Sequence, residues 1–156
     1  MTASIEGFVE VERRIAARPE TVFSYFTDAH RYRLWQGVDA ELDPRPGGLF
    51  RVTMTGKSGT VVRGEYVEVD PPRRLVLTWG WEPWEGQPDA YVPVGSSTVE
   101  ITLVPDGDHT VVHVKHRGLA TAHASEFHEW GWGMTLDRLA GVAVGRDPGP
   151  NPLATA

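Results

Sequence analysis

The sequence predicts an α+β domain: a curved antiparallel sheet of about six to seven strands wrapped around one long C-terminal helix, with two short helices after the first strand. Three observations predict it. Apolar and polar residues alternate in short runs that end at Gly, Pro or Asp. The period becomes helical twice, once after Ala17 and once after Thr121. Only the second helical stretch is long enough to cover the single buried face that alternating strands create.

Each element has its own warrant. "FVEVERRI" (Phe8 to Ile15) alternates, with Val9, Val11 and Ile15 on one side and Arg13 sharing that side unless a bulge turns it out. In "ARPETVFSYFTDAH", Pro19 suits a first helical turn and Glu20 favours the positive end of the helix dipole. The stripe Val22, Phe23, Phe26 predicts a helix to about Thr27, and a second is expected from about His30 to Trp35. "VDAELD" is a short strand ending at "PRPGG". "LFRVTMT" places Phe50, Val52 and Met54 on one face, and "GKSG" is a hairpin-sized turn. "TVVRGEYVEVD" stops at "PP", because proline cannot continue a ladder. "RLVLTWGW" puts Leu75, Leu77, Trp79 and Trp81 on one face. "STVEITLVP" and "TVVHVKH" flank the Asp106-Gly107 turn, with Val112, Val114 and His116 inward. From about His123 to Val142 no proline interrupts a helix of roughly 30 Å.

That helix carries two adjoining apolar stripes: Phe127, Trp130, Gly131 and Met134, then Trp132, Leu136, Leu139 and Ala143. So wide an arc implies burial against a concave surface. Gly131 and Gly133 each cost about 1 kcal/mol relative to alanine, and the offset is either simple packing relief beside two tryptophans or close approach of a strand or ligand. Residues 1–145 are read as one domain, and the Pro/Gly-rich 146–156 as a disordered tail.

Bulk properties exclude several function classes. A formal charge of −6 with scattered basic residues argues against nucleic acid and anionic membrane surfaces as partners. Without cysteine there are no disulfides, thiol nucleophiles or thiolate metal sites. No signal-peptide pattern and no apolar run of about 18 residues occurs, so a cytoplasmic protein is the expectation. The histidines lack metal-ligand spacing, and no phosphate-binding glycine loop or GxSxG elbow is present. Neither a metal nor a cofactor is expected.

Several stretches together resemble the SRPBCC, or START-like, superfamily. "RRIAARPETVFSYFTD" is similar to its opening, while "GEYVEVDPPRRLVLTW", "STVEITLVPDGDHTVVHVKHRGL" and "HEWGWGMTLDRLAGV" resemble the branch named after the activator of heat-shock-protein-90 ATPase. The resemblance runs from about Val9 to Val144 and implies a helix-grip fold with a hydrophobic cavity. With no second domain and no basic docking face in the sequence, heat-shock protein 90 itself is not the expected partner.

The expected function is binding of a small hydrophobic or aromatic ligand between sheet and helix. The candidate lining is Phe26, Trp35, Phe50, Met54, Tyr66, Trp79, Trp81, His116, Phe127, Trp130 and Met134, with Trp84 in a proline-stiffened connection over the mouth. Two alternatives stand beside it: a cofactor-independent acid–base enzyme of the polyketide cyclase/dehydratase kind using His116, and a chaperone-linked interaction module. Tyr66 and His116 could hold a ligand carbonyl or simply pair with each other. A homodimer through an exposed strand edge is compatible with the pattern. Interdigitated side chains leaving no void above a water or two would sink the binding reading, and a deep pocket with His116 bonded to an acidic or tyrosine partner would favour catalysis.

Overall fold

The computed structural model describes residues 7–83 and 92–156. Its elements are β1 (Phe8–Ile15), α1 (Pro19–Thr27), α2 (Ala29–Tyr32), β2 (Asp39–Leu42), β3 (Leu49–Thr53), β4 (Val61–Asp70), β5 (Arg74–Trp81), β6 (Ser97–Asp106), β7 (His109–Arg117) and α3 (Ala122–Val142). The strands form one antiparallel sheet in the order β1-β7-β6-β5-β4-β3-β2. The expected α+β helix-grip arrangement is therefore present. The second helix is shorter than expected, because Leu34 and Trp35 continue it only as turns on the carbonyls of Arg31 and Tyr32.

Alternation works as the sequence implies. Val9, Val11 and Ile15 of β1, Phe50 and Val52 of β3, Leu75, Leu77 and Trp79 of β5, and Val112, Val114 and His116 of β7 are all buried. A register shift between Tyr66 and Glu68 on β4 leaves Tyr66 in the core and turns Val67 to solvent. Arg13 does share the inward side of β1, but it reaches the edge of the sheet and pairs with Asp137 of α3 at 2.7 Å.

α3 is rotated relative to the sequence expectation. Its buried side is Ala124, Ser125, His128, Trp132, Thr135, Leu136 and Leu139. The other stripe lies at the rim, with Phe127 41% and Trp130 53% exposed. Counting hydrophobicity alone favours an inward Phe127 and Trp130. Hydrogen bonds decide otherwise, since His128 and Thr135 find partners inside and so lose little on burial.

The tail, expected to be disordered, has a defined course in this structure. Instead of trailing free, residues 147–156 run back across the domain. Arg138 on α3 donates through Nη1 to the carbonyls of Gly149 and Pro150 at 3.1 and 3.2 Å. Asn151 donates to Gly37 O, Gly56 N donates to Leu153 O, and Lys57 and Ser58 both donate to Ala156 O. Composition missed this because the tail is held through backbone groups, which carry no residue-type signal.

The helix glycines divide as follows. A Cβ on Gly133 would stand 3.2 Å from an Arg13 nitrogen, so β1 supplies the expected close approach. Around Gly131 a Cβ would meet nothing within 4 Å. Gly131→Ala should accordingly stabilise the domain by about 1 kcal/mol, and Gly133→Ala by clearly less. Urea midpoints of the two variants check this, and equal gains would contradict the Arg13 contact.

Candidate functional site

The site is built where the end of β5 meets the middle of α3. Strand alternation brings Trp79 and Trp81 to the same face, and the helix sets His128 and Trp132 against them. Trp79 is the centre of the cluster. Its ring lies 5.8 Å from Phe50, 5.5 Å from His116, 6.3 Å from His128 and 5.1 Å from Trp132, measured between centroids.

Two histidines inside this cluster are held by indoles. Trp132 Nε1 donates to His116 Nδ1 at 3.1 Å, and Trp81 Nε1 donates to His128 Nε2 at 3.1 Å. An imidazole nitrogen that accepts from an indole carries no proton. The other nitrogen of each ring must then donate: His116 Nε2 to Ser97 Oγ at 2.8 Å, and His128 Nδ1 to Ala124 O at 2.7 Å. Ser97 passes its own proton to Trp79 O at 2.6 Å. Both rings are neutral with fixed tautomers.

Burial reinforces this. It pushes His116 well below the ordinary histidine value, with neighbouring His128 adding to the effect. His128 is lowered to about 4 by burial, against a smaller opposing effect of its bond to Ala124. The consequence for chemistry is direct. A serine–histidine nucleophile needs the ring to accept the hydroxyl proton, whereas here the ring donates to Ser97. The partners of His116 are a serine and a tryptophan, neither acidic nor tyrosine.

Above the cluster lies a cleft lined by Gln36, Met54, Trp79, Trp81, Phe127, His128, Trp130, Gly131, Trp132, Met134, Thr135 and Leu153. Among the described residues no lining side chain is an Asp, Glu, Lys or Arg. Its volume is about 40 Å³, room for a few water molecules at about 10–15 Å³ each and far below the several hundred Å³ of a typical ligand chamber. The spacious interior that the sequence suggested is filled by the tryptophan–histidine cluster. Gln36 spans the floor, accepting from Tyr32 OH and donating to Thr135 Oγ1 at 3.2 Å. Trp79 Nε1 is buried and makes no hydrogen bond among the described residues.

Of the residues that the sequence nominated, Met54, Trp79, Trp81, Phe127, Trp130 and Met134 meet in this cleft. Phe26, Trp35, Phe50 and Tyr66 lie deeper as core, linked by edge contacts such as Phe26–Trp35 at 5.0 Å and Phe50–Tyr66 at 6.0 Å. His116 sits one layer beneath the cleft. Tyr66 does not pair with it. The Tyr66 hydroxyl is buried without a hydrogen-bond partner among the described residues, and its phenol is raised above the ordinary value by burial and then by Asp43. Trp84 and Tyr91 lie outside the described residues. Sequence reading missed Gln36, Thr135 and Leu153, because the first and last stand in irregular segments and Thr135 reads as the polar side of a helix. No group of three or more metal-ligating side chains occurs among the described residues, nor is any described helix long and apolar enough to cross a membrane.

Sheet and gripped helix define a protein of the helix-grip class. The model of the family "Activator of Hsp90 ATPase homolog 1-like protein" matches residues 16–143, and the chain belongs to this family. Solved structures agree. An AHSA1-like protein from Rhizobium etli is 41% identical, with 96% of this chain and 89% of that chain covered at a TM-score of 0.71. CalU16 from Micromonospora echinospora is 29% identical, covering 88% of this chain and 76% of its own at a TM-score of 0.65. An HSP90 activator from Plasmodium falciparum is 27% identical, with coverages of 88% and 96% and a TM-score of 0.67. Among curated proteins there is no match.

The neutral histidines make stability pH-dependent. Folded His128 stays neutral to about pH 4, whereas in the unfolded chain it takes up a proton near 6.5. Between those values the unfolded state binds more protons, so stability present above pH 6.5 drains away as the pH falls. His128 alone should account for roughly 3 kcal/mol at most across that window. Denaturant midpoints measured from pH 7 to 4.5 should fall in the natural chain and fall less steeply in His128→Asn; parallel slopes would refute the assignment.

Proposed function

We propose that this chain binds a small, neutral, aromatic or apolar molecule in the cleft between β5 and α3. The carrying observation is the lining itself: edge-on and tilted indoles with no Asp, Glu, Lys or Arg among the described lining residues, and a buried Trp79 N–H with no partner among the described residues. Such a surface favours flat apolar ligands and offers one donor to an acceptor atom of the ligand. A charged ligand would lose its hydration here and gain no counter-charge from the described lining residues. The small volume means that binding requires one wall to yield.

An acid–base reaction at His116 has less support, because its ring is neutral, donates to Ser97 and lies below the cleft rather than in it. The heat-shock role belongs to the Plasmodium relative, and nothing in the described residues of this chain favours extending it.

The test is a titration with 2-naphthol, followed by the indole N–H resonances of a ¹⁵N-labelled sample. Saturable shifts of the Trp79 and Trp81 signals are expected, with 2-naphthalenesulfonate binding at least tenfold more weakly. Trp130→Ala should weaken 2-naphthol binding by about tenfold, near 1.4 kcal/mol, while leaving the unfolding midpoint nearly unchanged, since the ring is half exposed. The reading fails if neither indole responds, or if the sulfonate binds equally well.

A further inference from the structure

We infer that the C-terminal segment is a built-in competitor for the cleft, with the Leu153 side chain seated where the apolar part of a ligand would lie. The inference rests on the binding reading above and specifies how the site opens. Leu153 is the one described lining residue from the C-terminal segment, whereas the others belong to α3, to the sheet, or to the loops and turns that join its elements. It is therefore the wall that can leave without breaking the fold.

The segment is fastened at points outside the cleft. Arg138 holds the carbonyls of Gly149 and Pro150 from one side. On the other, the turn between β3 and β4 supplies three amides: Gly56 to Leu153 O at 3.1 Å, and Lys57 and Ser58 to Ala156 O at 2.8 Å each. The backbone lies so close that a Cβ on Gly56 would stand 1.9 Å from Ala154 O. Between these fastenings Leu153 closes over Trp79, Trp81 and Met134. Neither Arg138 nor Gly56 touches the cleft, so each can act on it only through the segment. All the fastenings are hydrogen bonds to exposed or half-exposed backbone, which water can replace. A ligand that fills the Leu153 seat and gives Trp79 Nε1 an acceptor replaces an apolar contact and satisfies a donor that the closed form leaves unpaired. The apparent affinity is then reduced by the fraction of time the segment is seated.

Three proteins test this: the natural chain, Leu153→Ala, and Gly56→Ala, which disturbs the segment from outside the cleft. Leu153→Ala should bind 2-naphthol on the order of tenfold more tightly, because the internal competitor loses its side chain. Gly56→Ala should bind several-fold more tightly, and in the natural chain saturating 2-naphthol should speed hydrogen exchange at the Lys57 and Ser58 amides. If the natural chain binds but neither variant gains affinity and exchange is unchanged, the competitor is overturned and the binding site stands. If none of the three binds, both ideas are overturned. Should Gly56→Ala fail to fold, the Leu153→Ala affinity and the exchange rates decide alone.

Discussion

Two indole-to-imidazole hydrogen bonds, Trp132 to His116 and Trp81 to His128, set the arrangement of everything around them. Each joins α3 to the sheet, and each runs in only one direction because an indole can only donate. The polarity then propagates. His116 must donate to Ser97, Ser97 to the Trp79 carbonyl, and His128 to the Ala124 carbonyl. A buried polar network of this kind, with the proton on every ring nitrogen assigned, specifies one rotation of the helix more sharply than apolar packing can. With α3 so fixed, Phe127 and Trp130 have no place in the core and become the rim of the cleft.

The network also separates two roles that a histidine in an apolar interior can take. A catalytic imidazole needs a protonation state that changes near the working pH. These two rings are locked neutral by burial and by donors on their acceptor nitrogens, which suits structure. What remains for function is the layer above them, where aromatic faces are presented without charge. Family membership supplies the scaffold for that layer, and the particular side chains decide what it accepts.

Most of the fold was legible in the sequence because alternation and turn residues are local signals. The limits of β1, of α1 and of the strand carrying Trp79 and Trp81 could be read directly, and His116 could be placed inside by counting alternate residues from Val112. The site was legible only in part. Phe127 and Trp130 were expected inward because periodicity weighs hydrophobicity, whereas the helix turns on the hydrogen-bond partners of His128 and Thr135. Those partners, Trp81 and Gln36, stand far away in sequence, and no spacing rule reports them. The seat of Leu153 was illegible for a similar reason: the bonds that hold the tail are made by backbone atoms common to every residue.

The place of β1 in the sheet has a further consequence, for the order of events during synthesis. β1 is the first strand made, yet its register partners, from Ile15 with Thr110 to Phe8 with Arg117, lie about a hundred residues further on. Until β7 emerges, β1 has no edge to join, and the other strands can assemble as neighbouring hairpins from β2 to β7 without it. Joining β1 closes the longest loop in the domain, and its entropic cost is met only after the rest of the sheet exists. Its apolar side, Val9, Val11 and Ile15, must stay soluble through that interval. The charged residues interleaved on the other side (Glu10, Glu12 and Arg14) equip the waiting strand to resist pairing with the wrong edge.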